Sequence, residues 1–252
     1  QLKGYQQVLG NAWSSGGNLN TARSNLTGAG TQTAALAFAG QTTAPAVSAL
    51  TEQYDGSSWT EVNDLNTARQ NLAGTGTQTS ALAFGGNKPP ATNATELWNG
   101  TNWTEVNDLN TARESLAGSG TDNTSALAIG GRTAPGPSTA VTESWNGTNW
   151  TEVNDLNTAR RLLAGAGTAT DALAFGGFTP NTAATESWNG TSWFEVNDLN
   201  TARRSLSGAG TSTAALAFGG TSTARTAITE SWNGSQWAET NDLNTARDGM
   251  GG

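Results

Sequence analysis

Apolar residues in this chain gather in short clusters broken by turn residues, and no stretch sustains the roughly 3.6-residue period of an amphipathic helix. Residues 157–199 show the pattern. Leu162-Leu163-Ala164-Gly165-Ala166-Gly167 is small and tight, and Ala172-Leu173-Ala174-Phe175-Gly176-Gly177 is apolar and short. Ala184-Thr185-Glu186-Ser187-Trp188 alternates, and a further stretch starts at Ser192-Trp193-Phe194. Asn189-Gly190, before the last stretch, is a two-residue hairpin signal, because both residues accept positive φ. Asn99-Gly100, Asn146-Gly147 and Asn233-Gly234 repeat it, with Asp55-Gly56 in the first unit. Glycine falls inside nearly every window long enough for a helix, at a cost of about 1 kcal/mol each relative to alanine. The pattern predicts an all-β chain with four short strands in each repeated unit.

The repeat is explicit. Asn-Thr-Ala-Arg occurs six times, ending at Arg23, Arg69, Arg113, Arg160, Arg203 and Arg247, at spacings of 46, 44, 47, 43 and 44 residues. A tryptophan stands ten residues before each arginine: Trp13, Trp59, Trp103, Trp150, Trp193 and Trp237. The apolar block Ala-Leu-Ala-x-(Gly/Ala)-Gly occurs only five times, ending at Gly40, Gly86, Gly131, Gly177 and Gly220. The spacings vary because the connection after each block has 10, 8, 10, 7 or 8 residues, with one further residue in Thr121–Ser125. Length change confined to two connections is what a sheet with surface loops tolerates. Four strands in a unit of about 45 residues is the pattern of a propeller blade, whose two faces are buried only by neighbouring blades. The small residues of the first two strands suit the crowded centre, and the tryptophans suit the wider space further out. The expected architecture is a five-bladed β-propeller over residues 20–243, preceded by a segment at 1–19 and followed by a tail at 244–252.

The order diglycine, variable loop, Glu, aromatic residue, Asp/Asn-Gly turn, Trp, Arg and a new apolar run resembles the kelch repeat. The first unit keeps the closest form, Glu52-Gln53-Tyr54-Asp55-Gly56-Ser57-Ser58-Trp59, then Arg69 and Gly85-Gly86. Later units replace the tyrosine by Trp98, Trp145, Trp188 and Trp232. The likeness spans about residues 11–247 and implies a kelch-type propeller. The near-identity of the units is similar to that of kelch-like arrays in structural proteins of bacteriophages and environmental microbes. One departure stands out: kelch rings commonly have six or seven blades, and this chain has five of the apolar blocks, four ending in Gly-Gly and the first in Ala39-Gly40. The surplus Trp-to-Arg segment bears on closure. Residues 11–19, with Trp13, read as a fourth strand, which either completes the last blade or leaves that task to the strand around Trp237.

Composition narrows the chemistry. The 252 residues include 20 acids and 12 bases, with no cysteine and no histidine, giving a net charge of −8. Disulfides, thiolate metal sites, cysteine nucleophiles and histidine bases are thereby excluded, as are the copper ligands of those kelch propellers that are oxidases. The acidic balance argues against nucleic acid, and no apolar run is long enough for a membrane span. No initiator methionine or signal peptide opens the chain, so Gln1 reads as a processed end or the edge of a longer protein.

The repeated residues Trp59, Trp103, Trp150, Trp193, Trp237, Arg69, Arg113, Arg160, Arg203, Arg247, Gly86, Gly131, Gly177 and Gly220 read as structural. The competing readings are sugar stacking on the tryptophans and anion binding by the arginines. Against an anion site, each unit carries three recurrent acids, such as Glu143, Glu152 and Asp155, to one recurrent arginine, Arg160. Oxygen ligands for calcium are present but in no Asp-x-Asp-x-Asp loop. Asn-x-Ser/Thr at Asn99, Asn102, Asn146, Asn149, Asn189 and Asn233 reads as turn composition. Individual chemistry is expected in the variable loops 41–50, 87–94, 132–141, 178–184 and 221–228, where Lys88, Arg132, Phe178 and Arg225 are the candidate ligand-binding residues. Catalysis needs one asymmetric constellation, and every acid here is either repeated or isolated in a loop. The expectation is a non-enzymatic structural or adhesion module without metal or cofactor, in a virion or outside the cell. Its partners would be other structural proteins, surface glycans or further copies of itself. A lectin-like propeller with one shallow site per blade and a kelch interaction adaptor are the alternatives.

Overall fold

The Asp-Gly and Asn-Gly pairs stand in turns between strands, but these are longer than the expected two-residue hairpins. Tyr54 pairs with Trp59 and Trp188 with Trp193, and only the glycines, Gly56, Gly100, Gly147, Gly190 and Gly234, take positive φ, between 89° and 94°. The preceding Asp or Asn side chain accepts backbone N–H bonds from the residues two and three further on, as Asn189 Oδ1 does from Thr191 and Ser192. Each turn joins two antiparallel strands. The computed structural model describes residues 12–43 and 45–250; among these every regular element is a β-strand.

The strands form five four-stranded antiparallel sheets in sequence order. Blade 1 holds β1 (Thr27–Thr31), β2 (Ala34–Phe38), β3 (Thr51–Tyr54) and β4 (Trp59–Val62). Blade 2 holds β5 (Ala73–Thr77), β6 (Ser80–Phe84), β7 (Thr95–Trp98) and β8 (Trp103–Glu105). Blade 3 holds β9 (Ala117–Gly120), β10 (Ala126–Ile129), β11 (Thr142–Trp145) and β12 (Trp150–Val153). Blade 4 holds β13 (Ala164–Gly167), β14 (Ala172–Phe175), β15 (Thr185–Trp188) and β16 (Trp193–Val196). Blade 5 holds β17 (Ser207–Gly210), β18 (Ala215–Phe218), β19 (Thr229–Trp232) and β20 (Trp237–Glu239). The chain is a five-bladed β-propeller.

The first strand of each blade lies innermost. β1, β5, β9, β13 and β17 pack one against the next in that order. Their small residues permit the approach: a Cβ on Gly165 would lie 2.6 Å from the carbonyl oxygen of Gly118 in the neighbouring blade. The strand limits are tighter than the apolar runs. Leu162 stands ahead of β13 at φ 56°, and Gly176 and Gly177, at 64° and 111°, lead the chain out of β14.

The core is divided between blades. One apolar cluster joins blades 1 and 2, with Leu36 and Phe38 facing Ala81, Ala83, Trp98 and Trp103. Equivalent clusters join blades 2 and 3, 3 and 4, and 4 and 5. Among the described residues no cluster of this kind joins blade 5 to blade 1.

The termini differ from the fourth-strand expectation. Trp237 closes blade 5, because β20 pairs with β19. Residues 12–19 form no strand; residue 11 lies outside the described residues. The physical reason is the lack of a third strand beside them, since blade 5 already has its outer strand.

Candidate functional site

Each of the first five Asn-Thr-Ala-Arg segments bonds to the blade it leads into. In blade 3, Arg113 is fully buried and donates to the carbonyls of Gly130 (2.8 Å), Val141 (2.6 Å) and Ala128 (3.4 Å) and to Glu143 Oε1 (2.9 Å). Glu143 also accepts the backbone N–H groups of Asn110 and Thr111 and the Asn110 side-chain amide. The Asn110 amide reaches on to the carbonyl of Trp150 in the outer strand. One connection thus ties together three strands of one blade. Arg23–Glu52, Arg69–Glu96, Arg160–Glu186 and Arg203–Glu230 repeat the pair in the other blades, all with side chains at most 2% exposed. Burial holds the guanidiniums of Arg23, Arg69, Arg113 and Arg160 below the ordinary arginine value, and the facing glutamate opposes that shift. The third recurrent acid, represented by Asp155, accepts the backbone N–H of Thr142, as Asp64, Asp108, Asp198 and Asp242 do in their blades.

The tryptophans are consumed in the same way. Eight of the ten are buried. In blades 2–5 the indole N–H of the outer-strand tryptophan crosses to the preceding blade: Trp103 to Thr51, Trp150 to Thr95, Trp193 to Thr142 and Trp237 to Thr185, at 3.0–3.2 Å, whereas Trp59 in blade 1 donates to the Gly17 carbonyl. Trp98, Trp145, Trp188 and Trp232 each donate to a carbonyl in the β1–β2-type turn of their own blade. No aromatic face is left open for a sugar at these eight positions.

On the axis, Leu26, Leu72, Leu116, Leu163, Leu206 and Met250 line a shallow opening with the residues that precede them. Its lining combines these aliphatic side chains with Asn25, Asn71, Ser115 and Ser205 and holds no charged residue. Among the described residues no three carboxylates gather where a metal could be held.

Much of the chemical variety lies on the face that carries the β2–β3-type loops, although the exposed Phe194 of β16 lies on an outer strand. On the loop face, in each blade, the residue after the closing Gly-Gly or Ala-Gly pairs as an isolated bridge with the residue after the Asn-Thr-Ala-Arg that leads in: Gln41 with Ser24, Asn87 with Gln70, Arg132 with Glu114, Phe178 with Arg161, and Thr221 with Arg204. The four sequence-predicted loop residues lie on this face in separate blades. Lys88 is exposed. Arg132 is half-buried and bonded to Glu114 through Nε at 2.7 Å. Arg225 is mostly exposed and paired with Asp248 at 2.8 Å. Phe178 lies between two guanidiniums, with Arg161 4.7 Å and Arg204 5.1 Å from its ring centroid. The structure does not bring the four into one constellation. It does assemble a cluster that sequence reasoning missed: Arg161, Phe178 and Arg204, with Arg161 donating to Ser138 and Arg204 to Asn181. The available signal was the one variable position immediately after each Asn-Thr-Ala-Arg, which is arginine in these two units alone.

No protein-family model matches this chain, and no curated protein matches it closely enough to be called a relative. The geometry therefore carries the functional argument unaided. No helix among the described residues is long and apolar enough to cross a membrane.

Proposed function

We propose that this protein is a non-catalytic structural or adhesion module, a kelch-like propeller that presents its β2–β3-type loops to a protein partner on a virion or outside the cell. One observation carries the reading. The side chains of the five arginines that enter blades, of the glutamates that face them and of eight of the ten tryptophans are buried and bonded within and between the blades, which leaves the variable loop face as a source of individual chemistry. On that face the cationic cluster at Phe178 and the exposed Lys88 and Arg225 stand out from a chain of net charge −8. Positive groups grouped on an acidic body favour a partner with an acidic docking surface.

The test compares two faces. Immobilised protein is offered to purified virion and cell-surface proteins and to a glycan array. A specific protein partner should be retained, and Lys88→Ala with Phe178→Ala should release it. Substitution of Thr191, on the opposite turn face, should not. Saturable glycan binding that the loop variants leave intact would replace this reading with the lectin-like one.

A further inference from the structure

The five blades occupy five places in a ring that has six. Around the axis, backbone hydrogen bonds run from Asn71 to Asn25, Ser115 to Asn71, Leu162 to Ser115, Ser205 to Leu162, Gly249 to Ser205 and Asn25 to Gly249, at 2.8–3.1 Å. All six donors share φ between 53° and 60°. Five precede the innermost strand of a blade, and Gly249 holds the sixth place with no described strand after it.

The outside of the same sector is marked by Trp13. Its indole donates to Thr229 at 3.1 Å, as Trp237 does to Thr185 in the adjoining blade. Its ring lies 5.0 Å from Phe218, as Trp103 lies 4.9 Å from Phe38. Its carbonyl accepts the Asn244 amide, as the Trp150 carbonyl accepts that of Asn110. Between these two marks the sector is thin. Leu216 is half-buried where Leu36, Leu82, Leu127 and Leu173 are closed. Tyr54 and Trp59 on blade 1 are half-buried where their counterparts in blades 2–5 are buried. Arg247 is exposed, although the other five arginines of its motif are each paired with a glutamate.

We propose that the sector between blades 5 and 1 is a docking site for a three-stranded β-segment of the repeat's own kind. Its first strand would follow the place held by Met250, its third would bring a glutamate to Arg247, and the Trp13 segment would flank it outside. The recognition chemistry is the one already present in the other blades: Ala-Leu-Ala-Phe against Tyr54 and Trp59, an alanine-rich face against Leu216 and Phe218, and a carboxylate for Arg247. A second folded copy does not meet this need, because all its units are engaged in its own ring. The inference stands independently of the proposed partner on the loop face.

The probe is a synthetic segment with the sequence of residues 206–232, which spans β17 to β19, titrated calorimetrically into the full 252-residue protein. The expected result is saturation at one segment per chain. Arg247→Gln in the protein, or Glu230→Gln in the segment, should each weaken binding about tenfold, as loss of a charge-assisted hydrogen bond does. Arg247→Gln should leave the melting of the free protein unchanged. In a second measurement the segment is fused after Gly252, where it should raise the melting temperature and shield tryptophan from acrylamide. Binding that is indifferent to Arg247→Gln overturns the proposal, as does a stable dimer of the protein alone. So does failure of the free segment to bind when the fusion also leaves melting and quenching unchanged.

Discussion

At Arg113 a full positive charge is buried among carbonyls and one carboxylate. A buried pair of this kind adds little beyond a well-packed apolar substitute, but removing one partner strands the other. Arg113→Met should therefore cost about 3–5 kcal/mol, read from the urea midpoint, a large part of the 5–15 kcal/mol available to a typical domain. Asp55 gives a contrasting case at the surface. Hydrogen bonds from the Ser58 backbone and from the Ser57 side chain and backbone hold its carboxyl at about 2, below the ordinary 3.8. A depressed carboxylate stabilises the fold above its unfolded value, and that contribution is lost as pH falls from 3.8 through about 2. An NMR titration should place the Asp55 midpoint near the lower figure. Asp55→Asn, which installs the residue found at 99, 146, 189 and 233, should preserve the turn and remove this acid dependence.

Within elements, two kinds of contact set the blade spacing. Near the axis, glycine lets innermost strands touch. Gly165→Ala would drive a Cβ into the Gly118 carbonyl, which belongs to a paired strand and cannot turn aside. The expected loss is about 1–3 kcal/mol in thermal unfolding, the usual penalty of overpacking. Further out, the tryptophan indoles cross between blades. Thr142→Val keeps the volume at that position but leaves the buried Trp193 N–H without its acceptor. Denaturant titration should show a loss of about 1–3 kcal/mol, the cost of an unsatisfied buried donor. The strands and hairpins themselves were legible in the sequence, since Asn189-Gly190 and the alternation of Thr185–Trp188 are local signals. The side-chain partners were not. Trp193 and Thr142 are 51 residues apart, and nothing local identifies Thr142 as the acceptor.

For the whole molecule, four inter-blade clusters serve five blades, so blades 2, 3 and 4 are covered on both sides and blades 1 and 5 on one. Native-state hydrogen exchange should reflect this difference: protection should be highest in β10 and lower in β2 and β18, with opening beginning at the sector between blades 5 and 1. The sequence by itself determined the repeat, the strand count and the all-β class, because turn chemistry and alternation act over a few residues. It also placed much of the individuality in the loops, because length there is free while the sheets tolerate none. Tertiary structure alone decided how the ring is spaced. Five units with small inner strands fit several ring sizes as a pattern. The placing of Gly249 in a six-membered chain of hydrogen bonds, and of Trp13 against Thr229 and Phe218, depends on curvature accumulated over all five blades. That curvature is a sum of many small packing angles, which no single segment of sequence records.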